Sequence, residues 1–219
     1  MSKQLFDALS NGELEMVLKQ LNTGIDINTR GNLGETPLIT AARLGHKQIV
    51  NYLLQKGADP EIKDFDGITA LFLAIRNRNT AIIYEIAKHL QNQTSLDDGF
   101  FYSIAVGYLP ITKTLIDCGA NINAINANTG RTCVMDAISC KNYEMLEFFL
   151  QQAVGCNMPN KYGCTPLMLA VLLHDSNAMS TLIKTGANVH AKDVEGRTAL
   201  DLAKNYQDKK ILILLKNAS

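Results

Sequence analysis

One spacing constrains this chain more than any other feature it has. The stretch "GETPLITAARLGHKQIVNYLLQKGAD" from Gly34 returns 33 residues later as "GITALFLAIRNRNTAIIYEIAKHL" from Gly67. It returns again as "GRTCVMDAISCKNYEMLEFFLQQAVG" from Gly130, "GCTPLMLAVLLHDSNAMSTLIKTGAN" from Gly163 and "GRTALDLAKNYQDKKILILL" from Gly196. A degraded copy, "DDGFFYSIAVGYLPITKTLIDCGAN", and a truncated first copy, "KQLFDALSNGELEMVLKQLNTGID", complete seven units. A fixed period of this length denotes a repeat array, in which each unit buries its apolar face only against its neighbours. The expected units are 1–30, 31–63, 64–94, 95–125, 126–159, 160–192 and 193–219, forming one domain with the end units as caps.

The copies agree where packing requires it. One column reads Leu5, Leu38, Leu71, Phe100, Val134, Leu167, Leu200, and three residues later stands Ala8, Ala41, Ala74, Ser103, Ala137, Ala170, Ala203. A large apolar residue followed by a small one at i+3 lets a helix pack closely against the next. A second column, Met16, Ile49, Ile82, Ile111, Met145, Ala178, Ile211, marks a second helix. Thr36, Thr69, Thr132, Thr165 and Thr198 stand where a hydroxyl caps free amides, and Pro37 and Pro166 follow at the first helical position. Gly24, Gly57, Gly119 and Gly186 stop the second helix. Lys3, Gln4 and Asp7 at one end, and Lys209, Lys210 and Lys216 at the other, supply the polar faces that terminal repeats need.

With its 33-residue period, its Thr-Pro and its recurring Gly-Ala-Asn or Gly-Ala-Asp, the whole chain resembles the ankyrin-repeat family. The resemblance implies an all-α repeat solenoid of helix–turn–helix units with short projecting β-hairpins. First helices and hairpin tips would line its concave face. The family's histidine after Thr-Pro-Leu is replaced by Ile39, Phe72, Phe101, Met135, Met168 and Asp201. The third-to-fourth junction, "KHLQNQTSLDDGFF", is about four residues short, so a missing or blunted hairpin is expected there, with Asp97 or Asp98 as the cap.

Register carries the family's partner-facing positions onto Leu33, Glu35, Arg43 and Leu44; Phe65, Ile68, Arg76 and Asn77; and Arg131, Ser139 and Cys140. Further along they fall on Tyr162, Cys164, Leu172 and Leu173, and on Val194, Arg197 and Tyr206. Four of the six arginines (Arg43, Arg76, Arg131, Arg197) occupy such positions, and Arg43 and Arg76 are equivalent in adjacent repeats. Guanidinium pairs suit carboxylates, so the expected partner is another protein with an acidic or aromatic segment. Tyr162, Leu172 and Leu173 would anchor it. The alternative readings are a regulatory inhibitor of a partner enzyme and a host-directed effector of an intracellular microbe. The resemblance also marks Asn123, eight residues after Leu115, as a candidate for asparaginyl hydroxylation.

Composition narrows the classes. Lysine plus arginine balances aspartate plus glutamate at 21 each, so no net field draws the chain to nucleic acid or anionic membrane. The longest apolar run, "PLMLAVLL", is too short to span a bilayer, and the N-terminus lacks a signal-peptide core. Five cysteines with no CxxC pair read as reduced thiols of a cytoplasmic or nuclear protein, or of the host cytosol if the chain is an effector. The scattered histidines give no metal spacing, and no GxSxG, Walker or dinucleotide motif occurs. No cofactor, no metal, no catalysis and a monomeric state are therefore expected.

Overall fold

A computed structural model describes residues 2–152, 154–206 and 209–218, without the side chains of 2, 205, 206, 209 and 210. The chain divides into two compact units, residues 1–120 and 121–219. Unit 1 contains α1 (Ser2–Asn11), α2 (Leu14–Leu21), α3 (Pro37–Leu44), α4 (Lys47–Gln55), α5 (Ala70–Arg76), α6 (Thr80–Ala87), α7 (Gln93–Val106) and α8 (Leu109–Asp117). Unit 2 contains α9 (Cys133–Ser139), α10 (Tyr143–Gln151), α11 (Pro166–Leu172), α12 (Ser176–Lys184), α13 (Ala199–Tyr206) and α14 (Lys209–Asn217). Helices pair within each repeat. First helices then pack on first helices and second on second, as α3 on α5 and α4 on α6 in unit 1, and α9 on α11 and α10 on α12 in unit 2.

The sequence columns become this packing. The small-residue column from Ala8 to Ala203 is buried throughout, and so is the large column, save for a half-buried Leu200. Ser103 takes the alanine position without leaving a polar group stranded: its hydroxyl donates to the Phe100 carbonyl at 2.7 Å and meets Thr112 Oγ1 at 2.8 Å. Each expected threonine caps its helix, Thr36 accepting from the Ile39 amide at 3.2 Å and Thr165 from the Met168 amide at 3.3 Å. Met16 departs from its column. It is 42% exposed, while its neighbour Val17 is fully buried. The far end also departs, because Ile213 on α14 is 59% exposed; the Lys209 and Lys210 side chains lie outside the described residues.

The projecting hairpins are turns too short to hold a strand among the described residues. They close on pairs of main-chain bonds, such as Asp64 N–H to Ile68 O (3.0 Å) with Gly67 N–H to Asp64 O (3.1 Å), or Asn160 N–H to Cys164 O with Gly163 N–H to Asn160 O (both 2.9 Å). Adjacent turns join by single bonds, Phe65 N–H to Leu33 O in unit 1 and Val194 N–H to Tyr162 O in unit 2.

The shortened junction corrects one expectation. Neither Asp97 nor Asp98 caps a helix; both lie inside α7, the longest helix described. The cap is Asn92, which accepts from the Thr94 amide at 2.9 Å. Glu61, from the preceding repeat, accepts from the Asn92 amide and the Ser95 hydroxyl. With too few residues to make a turn, the segment gains more hydrogen bonds by continuing as helix. Gly99 lets Leu71 of the preceding repeat lie close against this helix, since a Cβ there would meet Leu71 Cδ2 at 2.7 Å.

Candidate functional site

The candidate surface is the side of each unit formed by first helices and turns. In unit 1, Leu33 and Phe65 stand at adjacent turn tips, and Phe65 is 73% exposed. A Cβ on Gly34 would meet the Phe65 ring at 2.5 Å, so this glycine, at φ 78°, lets the ring lie across the neighbouring turn. Arg43 and Leu44 end α3 and Arg76 ends α5, all three exposed. Asn77 ties the two helix ends by donating from Nδ2 to the Arg43 carbonyl at 2.7 Å. One turn before Arg76 the Phe72 ring stacks on Tyr102 with centroids 3.8 Å apart.

In unit 2 the corresponding apolar side chains are Tyr162 and Val194 at turn tips and Leu172 and Leu173 at the end of α11, all exposed. Lys161 Nζ sits 5.0 Å over the Tyr162 ring. Arg131 and Arg197 lie on this surface too, but their guanidiniums are engaged. Arg131 donates to Ser139 Oγ at 2.9 Å and approaches Asp136 at 3.9 Å. Arg197 pairs with Asp193 at 2.8 Å and with Glu195 at 2.7 Å. The Tyr206 side chain lies outside the described residues.

Sequence reasoning missed the network behind Arg131. Asp136 is buried and accepts from Asn126 Nδ2 at 2.7 Å and Thr129 Oγ1 at 3.4 Å. Burial pushes its carboxyl above the ordinary value, against the pull of Asn126, Arg131 and Thr129. The signal was an extra residue in this turn, "NANTGR" against "DFDGI", which places Thr129 over the carboxylate. Asp193 goes the other way: the Arg197 backbone amide is the leading cause that holds it below the usual range.

The thiols on this face are poor nucleophiles. Partial desolvation, then Asp136 beside Cys140 and Asp193 beside Cys164, raises both pKa values, which favours the protonated form. Burial pushes Cys133 up to about 12. Among the described residues, no three His, Cys, Asp or Glu side chains gather as a metal site, and no helix is long and apolar enough to cross a membrane.

Asn123 is exposed, and its own amide donates to Asn121 Oδ1 at 3.0 Å. Its counterparts do structural duty. Asn28 Oδ1 accepts the Asp59 amide at 2.9 Å and Asn157 Oδ1 the Asn188 amide at 2.6 Å, each bridging to the next repeat. On the second-helix side of unit 1, a cleft of about 440 Å³ opens at the shortened junction, lined by Tyr84, Lys88, Gln91, Asn92, Leu96 and Cys118 among others.

A family model described as ankyrin repeats (3 copies) matches residues 5–98 and 100–193. The chain is 27% identical over 194 residues to the palmitoyltransferase AKR1 of Lachancea kluyveri, covering 88% of this chain and 23% of that protein. To the NF-kappa-B inhibitor zeta of Mus musculus it is 27% identical, covering 83% of this chain and 26% of that one. To the phosphocholine transferase AnkX of Legionella pneumophila it is 26% identical, covering 91% and 23%. It thus spans about a quarter of the length of these relatives. Among solved structures it is similar to the ankyrin repeat domain of Bcl-3, at a TM-score of 0.87 and 22% identity with 97% of each chain covered. It is also similar to that of human ASB11, at 0.72 and 20%, covering 98% and 97%.

Proposed function

The chain belongs to the ankyrin-repeat family, and from that premise we propose that it is a non-catalytic module that holds a partner protein against its first-helix and turn face. The observation that carries this reading is where exposed apolar side chains lie. Among the described residues, Leu33, Leu44, Phe65, Ile125, Tyr162, Leu172, Leu173 and Val194 stand on turns and first-helix ends, against Met16, Tyr84, Tyr108 and Ile213 on or capping second helices. Each such side chain contributes about 1.5–3 kcal/mol when fully buried, so a partner covering a few of them gains useful affinity. The turns and helix ends are held by main-chain bonds and threonine caps, so little ordering is needed on binding. The exposed Asn123 is a candidate modification position on one such turn.

Site-specific photo-cross-linking tests this. A photoreactive residue replacing Phe65 or Tyr162 is expected to capture a discrete partner from cytosolic lysate, and one replacing Tyr84 is not. Capture from Tyr84 alone would move the interaction to the second helices and the junction cleft.

A further inference from the structure

We infer that Arg43 and Arg76 form a two-guanidinium clasp for an acidic, extended segment of the partner, with apolar side chains that seat on the turn tips of unit 1. This rests on the first-helix face being the binding surface. The two arginines end neighbouring packed helices, and the Asn77 bond to the Arg43 carbonyl fixes those ends side by side. Packed helices run about 8–10 Å apart, within reach of one peptide. Neither arginine forms an ion pair among the described residues, whereas Arg131 and Arg197 already have carboxylates of their own. A partner carboxylate can take charge-assisted, bidentate hydrogen bonds from such exposed guanidiniums.

The surroundings give the segment a direction. The negative groups of this face lie at the turns, where Glu35 accepts the Leu33 amide at 2.8 Å and Asp64 accepts the Asp66 and Ile68 amides at 3.0 and 2.8 Å. Asp66 is exposed at the tip. The eight residues of α3 place the arginine row about 12 Å away from this acidic row. The partner's carboxylates therefore meet the helix ends, and its apolar side chains meet Leu33 and Phe65 at the turn tips. Phe72, on α5 between the turn and Arg76, stacks on Tyr102.

The test uses a short fluorescein-labelled extended peptide with glutamates at one end and leucine and phenylalanine at the other, read by anisotropy. Saturable, salt-sensitive binding to the unaltered protein is expected. Arg43→Glu with Arg76→Glu should weaken it at least about tenfold, whereas Lys19→Glu with Lys47→Glu, an equal charge change on second helices, should not. Arg43→Lys with Arg76→Lys keeps the charge and should retain part of the affinity. No saturable binding, equal weakening by the two lysine reversals, or equal binding of a peptide with lysine for every glutamate would overturn the inference. If the probe fails while Phe65 still cross-links a partner, the acidic assignment falls and the surface stands. If both fail, the surface reading falls with it.

Discussion

Unit 1 and unit 2 use one repeat frame but treat the same residue types differently. Arg43 and Arg76 reach outward from helix ends, while Arg131 and Arg197 turn back to Asp136, Asp193 and Glu195. The helix-to-helix turns differ as well. Unit 1 mostly fills the left-handed position with glycine (Gly12, Gly45, Gly107), with Arg78 at φ 56° the exception. Unit 2 places Lys141 at φ 53° and His174 at φ 52° there. Unit 2 thus carries strain and an internal polar network, and unit 1 carries unspent charge. A position in a repeat defines where a side chain starts, and its neighbours decide what it does.

The largest effects break the units' cores. Phe100→Ala in unit 1 and Phe149→Ala in unit 2 each remove a fully buried ring and should each cost about 3–5 kcal/mol. Denaturant unfolding also tests the expectation that 1–219 behaves as one domain. Either change should then move one common transition, and a transition that splits by unit would break that expectation.

Next comes the polar network. Asp136→Ala leaves the buried Asn126 amide unpaired and should cost about 1–3 kcal/mol. Replacing Arg43 and Arg76 by alanine should change stability by less than about 0.5 kcal/mol each. Thermal melts of the two variants compare the units directly, and similar losses would mean the unit 1 arginines are structural after all.

Strain is smaller. Lys141→Gly should stabilise by about 0.5–1 kcal/mol, whereas Gly45→Ala, at φ 81°, should destabilise by about 1 kcal/mol or more. Opposite signs in a denaturant midpoint are the expected result.

The subtlest effect is in pH. The Thr198 hydroxyl, then Lys204 and the Thr198 amide, lower the Asp201 pKa to about 2 from 3.8. A depressed folded value means stability that is present above the unfolded pKa and is lost as pH falls through the folded one, so this share disappears between about pH 4 and 2. Asp201→Asn should flatten acid unfolding over that window. Asp136 has the reverse sign: burial raises its folded value, so the stability its protonated form contributes is fully present below the unfolded pKa and is lost as pH rises through the folded one.

The frame of the fold was legible because it is written in local chemistry. The buried columns, the threonine caps and the stopping glycines each follow from residues within one turn of one another, and the structure reproduces them apart from Met16 and the half-buried Leu200. Asp97 and Asp98 misled because the cap at Asn92 depends on Glu61, some thirty residues earlier, and on a junction too short for any turn. Met16 misled because its column equates it with buried residues such as Ile49, whereas in α2 it is Val17 that turns inward. On the candidate surface, sequence supplied positions but not partners. The Asp193–Arg197 pair is visible at i,i+4, whereas Arg131 bonding Ser139 across the repeat is a matter of tertiary geometry.

The most direct test of the interaction surface is a comparative pull-down. Wild-type protein and the variant Arg43→Ser, Arg76→Ser, Tyr162→Ser, Leu172→Ser are immobilised, circular dichroism having established that the variant folds. Proteins retained from cytosolic lysate are then quantified by mass spectrometry. The account predicts a partner enriched on the wild type and lost from the variant. An unchanged set of bound proteins on the folded variant would contradict it.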